Sequence, residues 1–238
     1  NLASTARLLS RTLRLNTESR ADISWWSTFL LRWNGVSMLW NPCIVQVAGH
    51  IYSDVSGGLG CGAYSGTHWF QLPWAEAWTN VTIAVKEMVP ILLGAFLWGG
   101  EWGGRVIQCS CDNQAVVAVI NTGTAKDGHL AHLLRCLHYA EAFYEFRLIA
   151  RHVAGRENDR ADDLSRNGLA SFLSKVPEAD SYPTPIPPYL VELARQEVDW
   201  TSAVWVSWLK DCFGSHWRHQ RENRTDQPRA STLNSANQ

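Results

Sequence analysis

From residue 44 to residue 54 apolar and polar positions alternate. Val45, Val47, Gly49, Ile51 and Ser53 share one side, and Gln46, Ala48, His50, Tyr52 and Asp54 the other. A period of two predicts a strand, and this one ends in a carboxylate. Gly57, Gly58 and Gly60 supply turn chemistry, after which residues 61–64 and 68–72 read as two further strands of a meander. Thr79 to Thr82 offers capping side chains before a helical run from about Ile83 to Trp98, which the glycines around Glu101 end. Residues 106–111 form a short β-rich run that again stops at an acid, Asp112. A brief helix is expected over 113–121, a longer one over about 129–145, a strand over 146–153 and a polar helix over 157–166.

Three strands, helix, strand, two helices, strand and helix predict an α/β layered domain in which an antiparallel meander begins a mixed sheet. Residues 1–46 read as a helical, aromatic segment, with Trp25, Trp26, Phe29, Leu30, Trp33 and Leu39 in a rough helical stripe. Beyond residue 174, Pro183, Pro185, Pro187 and Pro188 predict a stiff extended linker over 175–188. Residues 189–238 then read as a short helical segment (stripe Val198, Trp205, Trp208, Leu209) followed by a disordered basic tail.

Composition narrows the picture. The 238 residues suit one domain of about 100–200 residues plus flanks, and 46% apolar with 18% charged residues is enough to bury a core. The longest uncharged apolar stretch, 88–100, falls short of the about 20 residues of a membrane span, and the arginine-spaced N-terminus has no secretory pattern, so an intracellular protein is expected. Six cysteines without a C-x-x-C pair read as reduced thiols. Net charge is −1, unevenly spread: both ends are basic, whereas residues 47–174 hold nine Lys/Arg against twelve Asp/Glu. That is a poor surface for passive phosphate binding and a reasonable one for a metal-dependent enzyme.

Four acids stand out by position: Asp54 and Asp112 at strand ends, Glu87 inside an apolar helix, and an acid in the last helix. Glu87 has Ile83 and Ile91 four residues to either side, so an unpartnered carboxylate there would cost several kcal/mol. Each acid alone reads equally as an ordinary surface or capping residue. Together they could hold two magnesium or manganese ions about 3.5 to 4 Å apart, the arrangement that cleaves phosphodiesters.

Four blocks, Y-S-D-V-S-G-G-L-G-C-G-A-Y (52–64), V-K-E-M-V-P-I-L-L-G-A-F (85–96), C-D-N-Q-A-V-V-A-V-I-N (111–121) and R-H-V-A-G-R-E-N-D-R-A-D-D-L-S-R (151–166), resemble the ribonuclease H domain of retroelement polymerases. The N-x-x-A-D-x-L-S-R of 158–166 is similar to the end of that domain in gypsy-type and DIRS-type elements. The resemblance covers about residues 47–170. It implies a ribonuclease H-like mixed five-stranded sheet with helices on both faces, and metal-dependent endonucleolytic cleavage of the RNA strand of an RNA/DNA hybrid. It implies Asp54, Glu87, Asp112 and Asp162 as metal ligands. Asp163 lies one place off, and a helix turns about 100° per residue, so the two cannot face the ions equally. It further implies His152 as a catalytic histidine, and Gln114, Asn113, Ser56 and Asn158 as substrate contacts, although a glutamine opening a helix also reads as a cap.

Residues 19–37 look like the segment that joins reverse transcriptase to ribonuclease H in DIRS-type elements, which implies a reverse transcriptase domain as partner in the parent polyprotein; no polymerase motif is present. Three departures from the family pattern are visible. Pro90 interrupts the Glu87 helix, the glycine turn is one residue longer, and the link over 122–128 leaves no room for an extra basic helix. Two other readings remain open: an inactive connection domain of a decayed element, and a DNA-cutting relative of the transposase or integrase kind, which usually has three principal acids.

Overall fold

The computed structural model describes residues 14–30 and 46–195. The chain divides into two units, residues 1–32 with 199–238, and residues 33–198. In the first, the described residues hold helix α1 (Thr17–Leu30), started by Asn16, whose Oδ1 accepts from Ser19 N at 2.7 Å. Trp26 and Leu30, two members of the expected stripe, are exposed on it. Trp33, Leu39 and the C-terminal stripe lie outside the described residues.

The second unit contains the expected five-stranded mixed sheet. Its strands are β1 (Val47–Val55), β2 (Gly60–Ser65), β3 (His68–Pro73), β4 (Val106–Cys111) and β5 (Arg147–His152), in the spatial order β3-β2-β1-β4-β5. The first three form the antiparallel meander, while β4 and β5 run parallel to β1. Helices α2 (Ile83–Trp98), α3 (Gln114–Thr122), α4 (Gly128–Tyr144), α5 (Asp159–Ser165), α6 (Leu169–Lys175) and α7 (Pro188–Arg195) complete it.

Both faces of the sheet are covered, as patterning required. Ile51 points to α2, where a Cβ on Gly94 would fall on the Ile51 side chain; glycine lets the helix lie directly on β1. On the opposite face Tyr52 joins a second core of Tyr64, Trp69, Ala161, Leu164, Phe172 and Val176 beneath α5 and α6. There Gly62 plays the same part, because a Cβ would collide with Leu164.

Pro90 does not break α2, which runs through it as one helix. Burial on nearly every side holds the turn together, and only the bond that the missing N–H would make to the Lys86 carbonyl is lost. The run Ile83–Glu101 reaches the length and apolarity of a membrane span, 19 residues at mean hydropathy 1.4, longer than the uncharged stretch read from sequence. Lys86 and Glu87 are buried with their neighbours, so charge does not end the apolar segment; 78% of its apolar window is buried, as in a core helix. Thr82 takes the N-cap position of α2 without a side-chain cap bond, and Thr79 Oγ1 bonds Glu76 O instead.

The expected linker over 175–188 is not free. It runs beside the edge strand β3, with Asp180 N donating to Thr67 O (2.9 Å) and Thr184 N to Trp69 O (2.7 Å). Asp180 accepts from His68 Nδ1 at 2.6 Å, and the Asp180 carbonyl accepts from Trp69 Nε1 at 2.7 Å. Prolines lack amide donors, but the residues between them supply enough to cover the strand edge. α7 then docks through Leu190 and Leu193, both buried, while His129 and His132 of α4 bond its last carbonyls. The far edge, β5, is covered by side chains: Asn121 bonds both N and O of Ala150, and Glu141 accepts from Leu148 N.

Ending the protein at residue 175 instead of 195 bares a strand edge and the sites of two buried leucines, each contributing about 1.5–3 kcal/mol. We expect residues 46–175 to be less stable than residues 46–195 by about 3–6 kcal/mol in chemical denaturation. Equal stabilities would show that the segment merely rests on the domain.

Candidate active site

The parallel register of β1 and β4 creates the site. Tyr52 pairs with Ser110, so two residues further on Asp54, the penultimate residue of β1, comes level with Asp112, which follows the last residue of β4. Neighbouring strands lie about 4.8 Å apart, so both acids sit at the carboxyl end of the sheet, near enough for the Asp112 charge to raise the Asp54 carboxyl. Glu87, in the second turn of α2, reaches the same end, and its carboxylate lies within 4.8 Å of ligand atoms on Cys111 and Asp112.

The fourth acid arrives from the opposite side. α5 is tied to β1 at both ends: Asn158 Nδ2 donates to Ser53 O at 2.8 Å, and Ser165 Oγ donates to Asp54 Oδ2 at 2.7 Å. This turns Asp162 toward Asp54, while Asp163 faces away and pairs with Lys175 at 2.7 Å. Asp162 is joined to Arg166, four residues on, at 2.6 Å.

Electrostatics report the convergence independently. Burial pushes the Asp54 carboxyl up, the Ser165 hydrogen bond pulls it back, and the charges of Asp112 and Asp162 raise it further. Glu87 is pushed up to about 9, mainly by burial and then by Asp112 and Asp54. A carboxyl 4% exposed, facing two like charges, keeps its proton unless a cation replaces it. Oxygen donors crowded in this way suit a divalent ion.

His152 ends β5 with its side chain exposed and its Nε2 3.0 Å from the Asp112 carbonyl, which fixes the ring beside that acid. Gln114 opens α3 with an exposed side chain. The other three residues implied as substrate contacts are each engaged within the protein, Ser56 and Asn158 in buried positions and Asn113 in a half-buried one. Asn113, not Gln114, caps α3, its Oδ1 accepting from Ala115 N and Val116 N. Ser56 is buried and accepts from Leu59 N across the glycine turn. Asn158 is 2% exposed and acts as the strut between α5 and β1.

Sequence reasoning missed Ser165, Arg166, Cys111 and Lys86. The last is buried, donates to Gly57 O at 2.7 Å and sits 5.7 Å from the Trp74 ring, which braces the turn behind Asp54. Ser165 and Arg166 lie inside the same S-R motif that was read, three and four residues after Asp162, a spacing that places them on one helix face.

No family model matches the chain, and no curated protein does. Among solved structures it is similar to ribonuclease H1 from the halophilic archaeon Halobacterium salinarum NRC-1 (17% identity, TM-score 0.40), over 52% of this chain and 98% of that one. It is also similar to LC11 ribonuclease H1, isolated from compost (14% identity, TM-score 0.38), over 54% and 99%.

The protonated Glu87 gives a pH signature. The group loses its proton near its ordinary value of 4.5 when unfolded and near 9 when folded, so between these values the unfolded chain binds fewer protons and stability falls as pH rises. Without divalent ions the melting temperature should therefore decline from about pH 5 to 9, and Glu87→Gln should flatten that decline. An unchanged slope in the variant would place the origin of the decline elsewhere.

Proposed function

We propose that this chain cleaves the RNA strand of an RNA/DNA hybrid by metal-dependent hydrolysis, as the ribonuclease H portion of a DIRS-type or gypsy-type retroelement polyprotein beside a reverse transcriptase domain. The observation that carries the reading is the meeting of Asp54, Glu87, Asp112 and Asp162 at one end of the sheet, drawn from two parallel strands and from helices on opposite faces. The motif at 158–166 and the segment at 19–37 support the retroelement setting.

The donor set is all carboxylate at these four positions, which fits magnesium or manganese. Bound there, such ions activate a water and offset the charge that develops on the leaving oxygen. The chain's own groups do the rest. Ser165 fixes Asp54 in orientation. Glu87 exchanges its proton for a cation and so stays charged only in the loaded site. Asp162 would hold an ion only by giving up Arg166, a small loss, because exposed pairs of this kind contribute about 0.2–1 kcal/mol. His152, held beside Asp112 with its ring in solvent, moves a proton to or from the reacting phosphate. Residues 47–174 hold fewer Lys/Arg than Asp/Glu, so the grip on hybrid comes from the basic ends or from the polymerase domain, and recognition rests on groove shape and the 2′-hydroxyl.

One observation favours a second reading. Asp162 and Asp54 already have protein partners in Arg166 and Ser165, as they would in an inactive connection domain that keeps the fold as a spacer.

Magnesium separates the two. The active reading expects the full chain to cut the RNA strand of a hybrid and to show a calorimetric binding isotherm for magnesium. Asp54→Asn and Asp112→Asn should each reduce cutting by at least about 100-fold, the scale for removing a group aimed at transition-state charge. Cutting that persists unchanged in Asp54→Asn defeats the assignment. The absence of both cutting and magnesium heat in the unmodified protein selects the spacer.

A further inference from the structure

We propose that Cys111, with Glu87 and Asp112, forms a site for a thiophilic divalent cation of the zinc class, which competes with the hard ion of the nuclease reading. The inference rests on that reading for the competition but not for the binding. Three ligand atoms, one sulfur and two carboxylate oxygens, all lie within 4.8 Å of one another. The Cys111 Sγ stands 3.9 Å from Glu87 Oε2. Tetrahedral zinc with a sulfur at about 2.3 Å and an oxygen at about 2.1 Å needs these two atoms about 3.6 Å apart, so a shift of a few tenths of an ångström completes the pair.

Glu87 supplies the second, independent observation. It is 4% exposed, it points into this cluster, and its recorded hydrogen-bond partner is the Cys111 thiol itself. No recorded cation or N–H donor among the described residues neutralises it, although unpaired buried carboxylates are costly. Cys111 is fully buried, and burial with the nearby Cys109 and Glu87 pushes its thiol up, so the sulfur, which accepts from Asn113 N at 3.4 Å, is a thiol until a metal displaces its proton. Asp112 is the least buried of the three and leaves a fourth position to water, as in sites with three protein ligands.

Chemistry then separates two classes of ion. Thiolate selects zinc over magnesium, and carboxylates alone do not discriminate in that direction. Binding is a plain ligand exchange: the sulfur–hydrogen bond breaks, a sulfur–metal bond forms, the proton goes to solvent, and nothing is oxidised or reduced. A zinc-class ion seated here withdraws Glu87 and Asp112 from the hard-ion site. Cys109, two residues earlier on β4, and Cys61 are also buried but lie outside this group.

The test uses the full chain, reduced and free of divalent ions, with cobalt(II) as the spectroscopic probe. The proposal expects a near-ultraviolet thiolate-to-cobalt charge-transfer band that saturates at one ion per chain and is bleached by stoichiometric zinc. Cys111→Ser should lose the band and bind cobalt at least about tenfold more weakly, the low end of the loss when even a ligand-orienting partner is removed. Cys136→Ser, which alters a buried thiol on α4, should keep it. Because Cys111 is a core residue, zinc-edge X-ray absorption on the unmodified protein provides a second measure that needs no substitution, with one sulfur neighbour at about 2.3 Å expected. A band that survives Cys111→Ser, or a zinc shell of oxygen and nitrogen only, overturns the site. The two readings fail separately: magnesium-dependent cutting without a cobalt–thiolate band removes this proposal alone, and the band without cutting removes the nuclease alone.

Discussion

Like charges brought together in a dry place govern this structure. Parallel pairing of β1 with β4 sets Asp54 level with Asp112, and helices on the two faces add Glu87 and Asp162. Burial above all, and then the charges of Asp112 and Asp54, make Glu87 hold its proton to about 9. A protein core gains nothing from such an arrangement by itself, since buried carboxylates of one sign repel and lose hydration. The geometry therefore suits a joint positive partner more than it suits packing alone.

The rest of the unit keeps that cluster in place. Gly94 and Gly62 let α2 and α5 approach the sheet from opposite faces at backbone distance, and each helix carries one of the acids. Asn158 and Ser165 fasten α5 to β1 on either side of Asp162, so the helix cannot slide without breaking two buried hydrogen bonds. Lys86, next to Glu87, braces the glycine turn that follows Asp54. Both sheet edges are closed, β3 by residues 180–184 and β5 by Asn121 and Glu141, so no bare strand edge adjoins the site.

The strands and most helices were legible because their signals are local. The alternation over 44–54 and the β-rich run ending at Asp112 gave β1 and β4 with their terminal acids. The preference for Asp162 over Asp163 rested on resemblance, and the structure supplies a physical counterpart: Lys175 draws Asp163 to the far side. Other residues have contacts that were out of view in the sequence. Proline spacing looked like a linker because the alternate residues' amides find their acceptors on β3, more than a hundred positions away. Asn158 and Ser56 looked like ligand contacts because a polar residue beside a catalytic motif reads the same whether it faces solvent or a buried carbonyl.

The sequence by itself determined the five strands, most of the helices and where Asp54, Glu87 and Asp112 sit along their elements, because strand and helix periods depend only on neighbours a few residues apart. Only the tertiary structure decided that the acids meet, that Cys111 stands among them, and that Arg166 and Ser165 hold two of them. Those facts depend on register between strands 58 residues apart and on the close approach of helices to the sheet, which no local period encodes.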